Sequence, residues 1–171
     1  LEEQIDKGLD EKSKPKTWED TALAAAAALG AMDPARSVFA DRLPQAAKVL
    51  AEAARGSAGQ MTPPPAHRLA YLASLSRIGT PAEVLACQQI GANPAESVEL
   101  RVAALRALGS ILENTGTPET AQTLRSLLTD PAEPVREAAG WALGRMKLSG
   151  TDACETLFGK KETAAETAPA Q

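Results

Sequence analysis

The stretch DPAEPVREAAGWALGRM, Asp130 to Met146, opens on an acid and a proline, passes through Val135-Arg136 and paired alanines, and closes on Ala-Leu-Gly. Wound at the helical period, Val135, Ala138, Ala139, Ala142, Leu143 and Met146 fall on one side and make a core stripe. Trp141 falls roughly 120° or more from the centre of that stripe. In a chain with 3% aromatic residues, a Trp off the core side needs another explanation, and the neighbouring sequence supplies candidates.

The stretch has copies. HRLAYLASLSRI from His67, LRVAALRALGSI from Leu100 and VREAAGWALGRM from Val135 align without gaps. Arg68, Arg101 and Arg136 share the second place, Ala70, Ala103 and Ala138 the fourth, and Leu75, Leu108 and Leu143 the ninth; Ile78, Ile111 and Met146 close the pattern. The arginines are 33 and then 35 residues apart. A weaker copy, TALAAAAALGAM from Thr21, keeps Leu29 and Met32 in register but has Ala22 in place of the arginine.

Between these long helices lie shorter segments that open with GTPAE at Gly79, GTPET at Gly116 and GTDAC at Gly150. The reading is local: Gly ends one helix by tolerating positive φ, Thr80 or Thr117 caps the next, and Pro81 or Pro118 takes the first helical position. Glu83 is placed to complete a capping box with Thr80. Asn93-Pro94-Ala95-Glu96 and Asp130-Pro131-Ala132-Glu133 read as caps for the longer helices. A short helix, a tight turn and a longer helix make a unit too small to bury its apolar stripe alone, so the units must stack.

The segment from about Thr80 to Leu157 resembles HEAT or HEAT-like repeats; His67–Ile78 follows the pattern less closely, and Trp18–Ala54 only weakly. The repeat is shorter than the roughly 40 to 47 residues usual for HEAT units and is similar to the compact units of phycobilisome-lyase-type proteins. The resemblance implies an all-α fold, a right-handed α-α superhelix of about four helical hairpins, whose second helices line a concave, protein-binding face. Asp130 and Arg136 match the Asp and Arg that pair along such stacks. Asn93 with Arg101, and Thr62 with Arg68, depart from that pattern, which argues against a continuous ladder.

Composition agrees with the periodicity. Thirty-five of the 171 residues are alanine, the best helix former and a side chain that lets helices approach closely. No period-2 alternation persists long enough to make a strand. The net charge of −4, with seven of the 22 acids in the first 20 residues, gives no general pull toward nucleic acid or an anionic membrane. No apolar run reaches the roughly 20 residues that span a bilayer, so the expected chain is soluble, cytoplasmic or periplasmic.

Three parts follow: an N-terminal helix or linker over 1–16, a repeat domain over 17–158 and a disordered tail over 159–171. Leu1, Ile5 and Leu9 are spaced as one face of a docking helix or as the tail of a preceding repeat, so the chain reads as a possible part of a longer array. Pro44 predicts a bent or restarted helix between Asp33 and Ala54. Pro63–Pro65 predicts a stiff extended loop.

Catalytic readings find little support. His67 is the single histidine, Cys87 and Cys154 are far apart, and these three residues do not make a zinc set. No phosphate loop, nucleophile elbow or H-E-x-x-H motif occurs. No catalytic residue, metal ligand or cofactor is therefore assigned. Cys87 reads as buried filler, and Gly30, Gly109 and Gly144 read as sites of close helix packing. What remains is a strip running across the repeats: Leu69, Val102 and Glu137 on one margin; Ala73, Arg106 and Trp141 in the middle; Arg77, Ser110 and Arg145 on the other. Trp and Arg are enriched at interface hot spots, so Leu69, Arg77, Val102, Arg106, Glu137, Trp141 and Arg145 are the expected protein-binding residues of a noncatalytic scaffold or adaptor. In the competing reading, Leu157 or Phe158 folds back and covers Trp141. The alternative functions are a lyase or chaperone-like protein acting on a cofactor-bearing client, and a weak nucleic-acid binder, for which three arginines are few.

Overall fold

The computed structural model describes residues 18–33, 40–56, 62–114 and 116–146. Among them are seven α-helices and no strand: α1 (Trp18–Ala31), α2 (Leu43–Arg55), α3 (Pro65–Ile78), α4 (Val84–Ala92), α5 (Val98–Ile111), α6 (Pro118–Ser126) and α7 (Glu133–Arg145). The helices α1, α3, α5 and α7 pack one on the next in a long-helix row, while α2, α4 and α6 form a second row, each against its own long partner. Three hairpins, α2–α3, α4–α5 and α6–α7, are thus complete, and α1 extends the long row as half of another. The leading segment 1–17 and the segment 147–171, with the tail over 159–171, lie outside the described residues.

The apolar seam runs between the two rows. Leu72 and Leu75 of α3, Leu105 and Leu108 of α5, Leu124 of α6 and Val135 of α7 are all but fully buried. Truncating a leucine in such a place costs about 2–5 kcal/mol. Alanines complete the core: Ala104 and Ala107 of α5 and Ala139 and Ala142 of α7 are fully buried. The stripe read from Asp130–Met146 is borne out: Val135, Ala138, Ala139, Ala142 and Met146 are buried and Leu143 packs at the edge.

The short helices start largely as their sequences dictate. Thr80 Oγ1 accepts from the Ala82 amide at 3.3 Å, and the Glu83 carboxylate accepts from the Thr80 amide at 2.8 Å, which closes the capping box. This box sits on a 3₁₀ turn, Pro81–Glu83, that runs into α4. Thr117 Oγ1 caps α6 by accepting from the Thr120 amide at 3.3 Å. Gly79, however, is extended (φ −62°, ψ 148°) rather than left-handed. Glycine is needed there for room, since a Cβ would lie 2.5 Å from the Leu75 carbonyl oxygen and 2.6 Å from Ile111 Cδ1.

Two further expectations are corrected and a third is narrowed. Pro44 lies in the first turn of α2, where its missing N–H has no intrahelical partner to lose, so α2 starts there without a bend, and the segment 34–39 before it lies outside the described residues. Pro65 begins α3 instead of extending the loop. Asn93 and Asp130 do not cap α5 and α7: their side chains accept from the Ala95 and Ala132 amides, two residues on, at 3.0 and 2.9 Å. The α5 cap is Ser97, whose hydroxyl accepts from Leu100.

From α3 to α7 the argument against a continuous ladder is also overturned. Arg68 donates from Nε to the Ala54 carbonyl at 2.6 Å and reaches Glu96 in the next hairpin with both terminal nitrogens, at 2.8 and 2.6 Å. Arg101 repeats the arrangement: its Nε donates to the Gly91 carbonyl at 3.1 Å and its fork grips Asp130. In both, the guanidinium satisfies a carbonyl left free near the end of its own short helix, where the helix dipole favours a cation. Arg136 continues the series with donation to the Asp130 and Pro131 carbonyls at 2.8 and 3.1 Å. The acid in the first rung is Glu96, not Asn93.

Candidate protein-binding surface

The residues on the long-row strip inherit their positions from the register. On α5, Leu105 and Leu108 are turned into the seam, so Val102 and Arg106 emerge on the open side, half-buried and exposed. On α7, the burial of Ala138, Ala139 and Ala142 leaves Glu137 and Trp141 outside. Two grooves flank α5 and share Val102 and Arg106. The one toward α7, about 490 Å³, is lined by Val102, Arg106, Pro134, Glu137, Ala138 and Trp141. The one toward α3, about 440 Å³, includes Leu72, Ala73, Ser76 and Glu99.

Trp141 is 43% exposed, yet it is held. Gly109 on α5 gives it room: a Cβ at that position would meet the indole ring at 2.5 Å and the Ala142 Cα at 2.9 Å. The Arg145 guanidinium lies over the ring, 5.1 Å from the centroid, and pairs with Glu113 at 2.6 Å. Stacking of this kind contributes roughly 0.5–1 kcal/mol at an exposed site. Arg145 Nε is buried and, among the described residues, has no hydrogen-bond partner. Arg77 and Arg106 are exposed, and among the described residues neither guanidinium is paired.

The structure therefore brings Val102, Arg106, Glu137 and Trp141 to one groove, with Arg145 stacked on the Trp. Leu69 is partly buried against the core, and Arg77 lines neither of the two grooves. Sequence reasoning missed Glu113 and Pro134, and the partner of Gly109. Gly109 was readable as a packing glycine but its partner was not, because the contact joins unlike register places in successive repeats. Gly30 likewise packs closely on Ser74, whereas among the described residues no atom lies within 4 Å of a Cβ placed at Gly144, so the close-packing reading finds no support there. Leu157 and Phe158, the residues expected to cover Trp141, lie outside the described residues.

Cys87 is fully buried, and burial together with the nearby Glu83 carboxylate pushes its thiol up to about 12. The thiolate is the reactive form, so this side chain is chemically quiet packing. Cys154 lies outside the described residues. His67 is half-buried near the start of α3. No described helix is long and apolar enough to cross a membrane.

A family model of HEAT repeats matches residues 90–164. No curated protein matches the chain, and no solved structure does.

Proposed function

We propose that this chain is a noncatalytic scaffold or adaptor that binds a protein segment on its long-helix row; the match of residues 90–164 to a model of HEAT repeats, which generally serve as scaffolds for protein interactions, supports the reading. The observation that carries the reading is Trp141. It is a large aromatic left 43% exposed yet fixed between the Gly109 backbone and the Arg145 guanidinium, above a groove floored by Val102, Pro134 and Ala138. An aromatic that is already ordered loses little conformational freedom on binding, which is why such residues act as interface anchors. Arg106 stands beside it with no partner among the described residues and can meet a carboxylate or backbone carbonyl of the bound segment. Glu99 and Glu137 line the same grooves, and this mixture of signs favours a protein over a polyanion such as nucleic acid.

The test is a quantitative capture of the partner from native extract, with crosslinking to map the contact face. Trp141→Ala combined with Arg106→Glu weakens capture by about 30-fold or more, since a central hot spot contributes about 2 kcal/mol or more, and leaves helical content unchanged. Leu85→Glu, on an exposed site of α4 in the short-helix row, leaves capture as it was. Unchanged capture by the double variant defeats the proposed surface.

A further inference from the structure

Each short helix in the stack obeys one packing rule: α4 lies on α5, its own long partner, and on α6, the next short helix, while α2 lies on α3 and α4. The helix α1 belongs to the long row and packs on α3. The place that its own short partner would take, between α1 and α2, is a groove of about 690 Å³. Leu29 of α1, Ala46, Leu50 and Ala53 of α2, and Tyr71 of α3 line it, and Val49 at its margin is 55% exposed. This apolar trough continues the seam that the other hairpins close.

We infer that Leu1–Leu9 is the short helix of this first hairpin and seats Leu1, Ile5 and Leu9 in the groove between α1 and α2. Nine residues is the length of both α4 and α6. Leu1, Ile5 and Leu9 lie on one helical face, and branched aliphatics suit a trough in which Leu29, Leu50 and Tyr71 are interleaved with small alanines. Ser13-Lys14-Pro15-Lys16 supplies the break before α1, because proline disfavours helix at the residue before it. Leu1–Leu9 carries Glu2, Glu3 and Asp6 against a single Lys7, and of the two charged residues that line the groove, Asp41 and Arg42, the arginine is exposed and, among the described residues, unpaired, so it can meet one of these acids. The inference is independent of the surface on α5 and α7.

The test is a disulfide trap in the full chain carrying Cys154→Ser, where the buried Cys87 stays silent. Ile5→Cys with Val49→Cys should form an intramolecular disulfide on mild oxidation at least about tenfold faster than Ile5→Cys with Gln122→Cys on α6, because a docked helix holds the thiols at high effective concentration. In the otherwise unaltered chain, Leu9→Asp should lower the melting temperature by several degrees. Intramolecular trapping no faster than the control pair, disulfide-linked dimers alone, which would place a second copy in the groove, or an unmoved melting temperature would each overturn the inference.

Discussion

The two halves of the stack use the same materials and are joined differently. From α3 to α7 every hairpin is tied to the next by an arginine that binds its own short helix and grips an acid beyond it: Arg68 to Glu96, then Arg101 to Asp130. Between α1 and α3 no such rung is found among the described residues, and the register place of the arginine is Ala22. The α1–α3 contact rests on close packing, with Gly30 against Ser74 and the Ser74 hydroxyl donating to the Ala26 carbonyl at 2.7 Å. Alanine and leucine at the right spacing suffice to stack helices, whereas fixing one module against the next also takes a buried polar bridge.

The largest effect is expected at Asp130. Its side chain is 9% exposed and Arg101 is 6% exposed, so Asp130→Ala leaves a buried guanidinium without its counter-ion and should cost about 3–5 kcal/mol in urea unfolding. Glu96 is 20% exposed, and water partly replaces it, so Glu96→Ala should cost less, about 1.5–3 kcal/mol. Equal losses at the two rungs would break the link between burial and coupling. Acid titration checks the same rungs. Hydrogen bonds from Arg68 and Arg101 hold the Glu96 and Asp130 carboxyls below their ordinary values of 4.5 and 3.8. A depressed folded-state pKa gives stability that is full above the unfolded value and is lost as pH falls through the folded one. Stability should therefore start to fall below about pH 4.5, and Asp130→Asn should flatten the decline below about pH 3.8.

A smaller contrast separates two glycines at one register place. Gly109→Ala drives a methyl into the Trp141 ring and the Ala142 backbone, which should cost about 1–3 kcal/mol. Gly144→Ala meets no atom within 4 Å among the described residues and should stabilise α7 by about 0.5–1 kcal/mol through helix propensity. Thermal unfolding of both variants reads the difference, and a change of the same sign at both positions would mean that Gly109 does not set the α5–α7 approach.

Much of this was readable because packing repeats at a fixed spacing. Leu75, Leu108 and Leu143 share one register place, and so do Arg68, Arg101 and Arg136, and the long-helix row follows from them. The ladder was misread because Asn93-Pro94-Ala95-Glu96 looks like Asp130-Pro131-Ala132-Glu133, which put Asn93 in the acid's place. A longer turn before α5 moves the working acid to Glu96, and the separations of 28 and 29 residues between each arginine and its acid are the signal that finds it. Trp141 was recognisable as lying off the core. Its support by Gly109 and Arg145 was not, since that depends on how far one helix is offset along the next. Gly79 shows the same limit: a glycine after a helix suggests positive φ, but neighbours distant in sequence can require its missing side chain instead.

Native-state hydrogen exchange tests most directly whether the arginine bridges join the modules into one cooperative unit. The account predicts that the most protected amides of α3, α5 and α7 exchange through a single opening of common free energy. The helices α1 and α2 should open earlier, and Asp130→Asn should release α7 from the common opening. If α3, α5 and α7 exchange with unrelated free energies in the unaltered chain, or if α1 is as protected as α5, the bridges do not couple the stack.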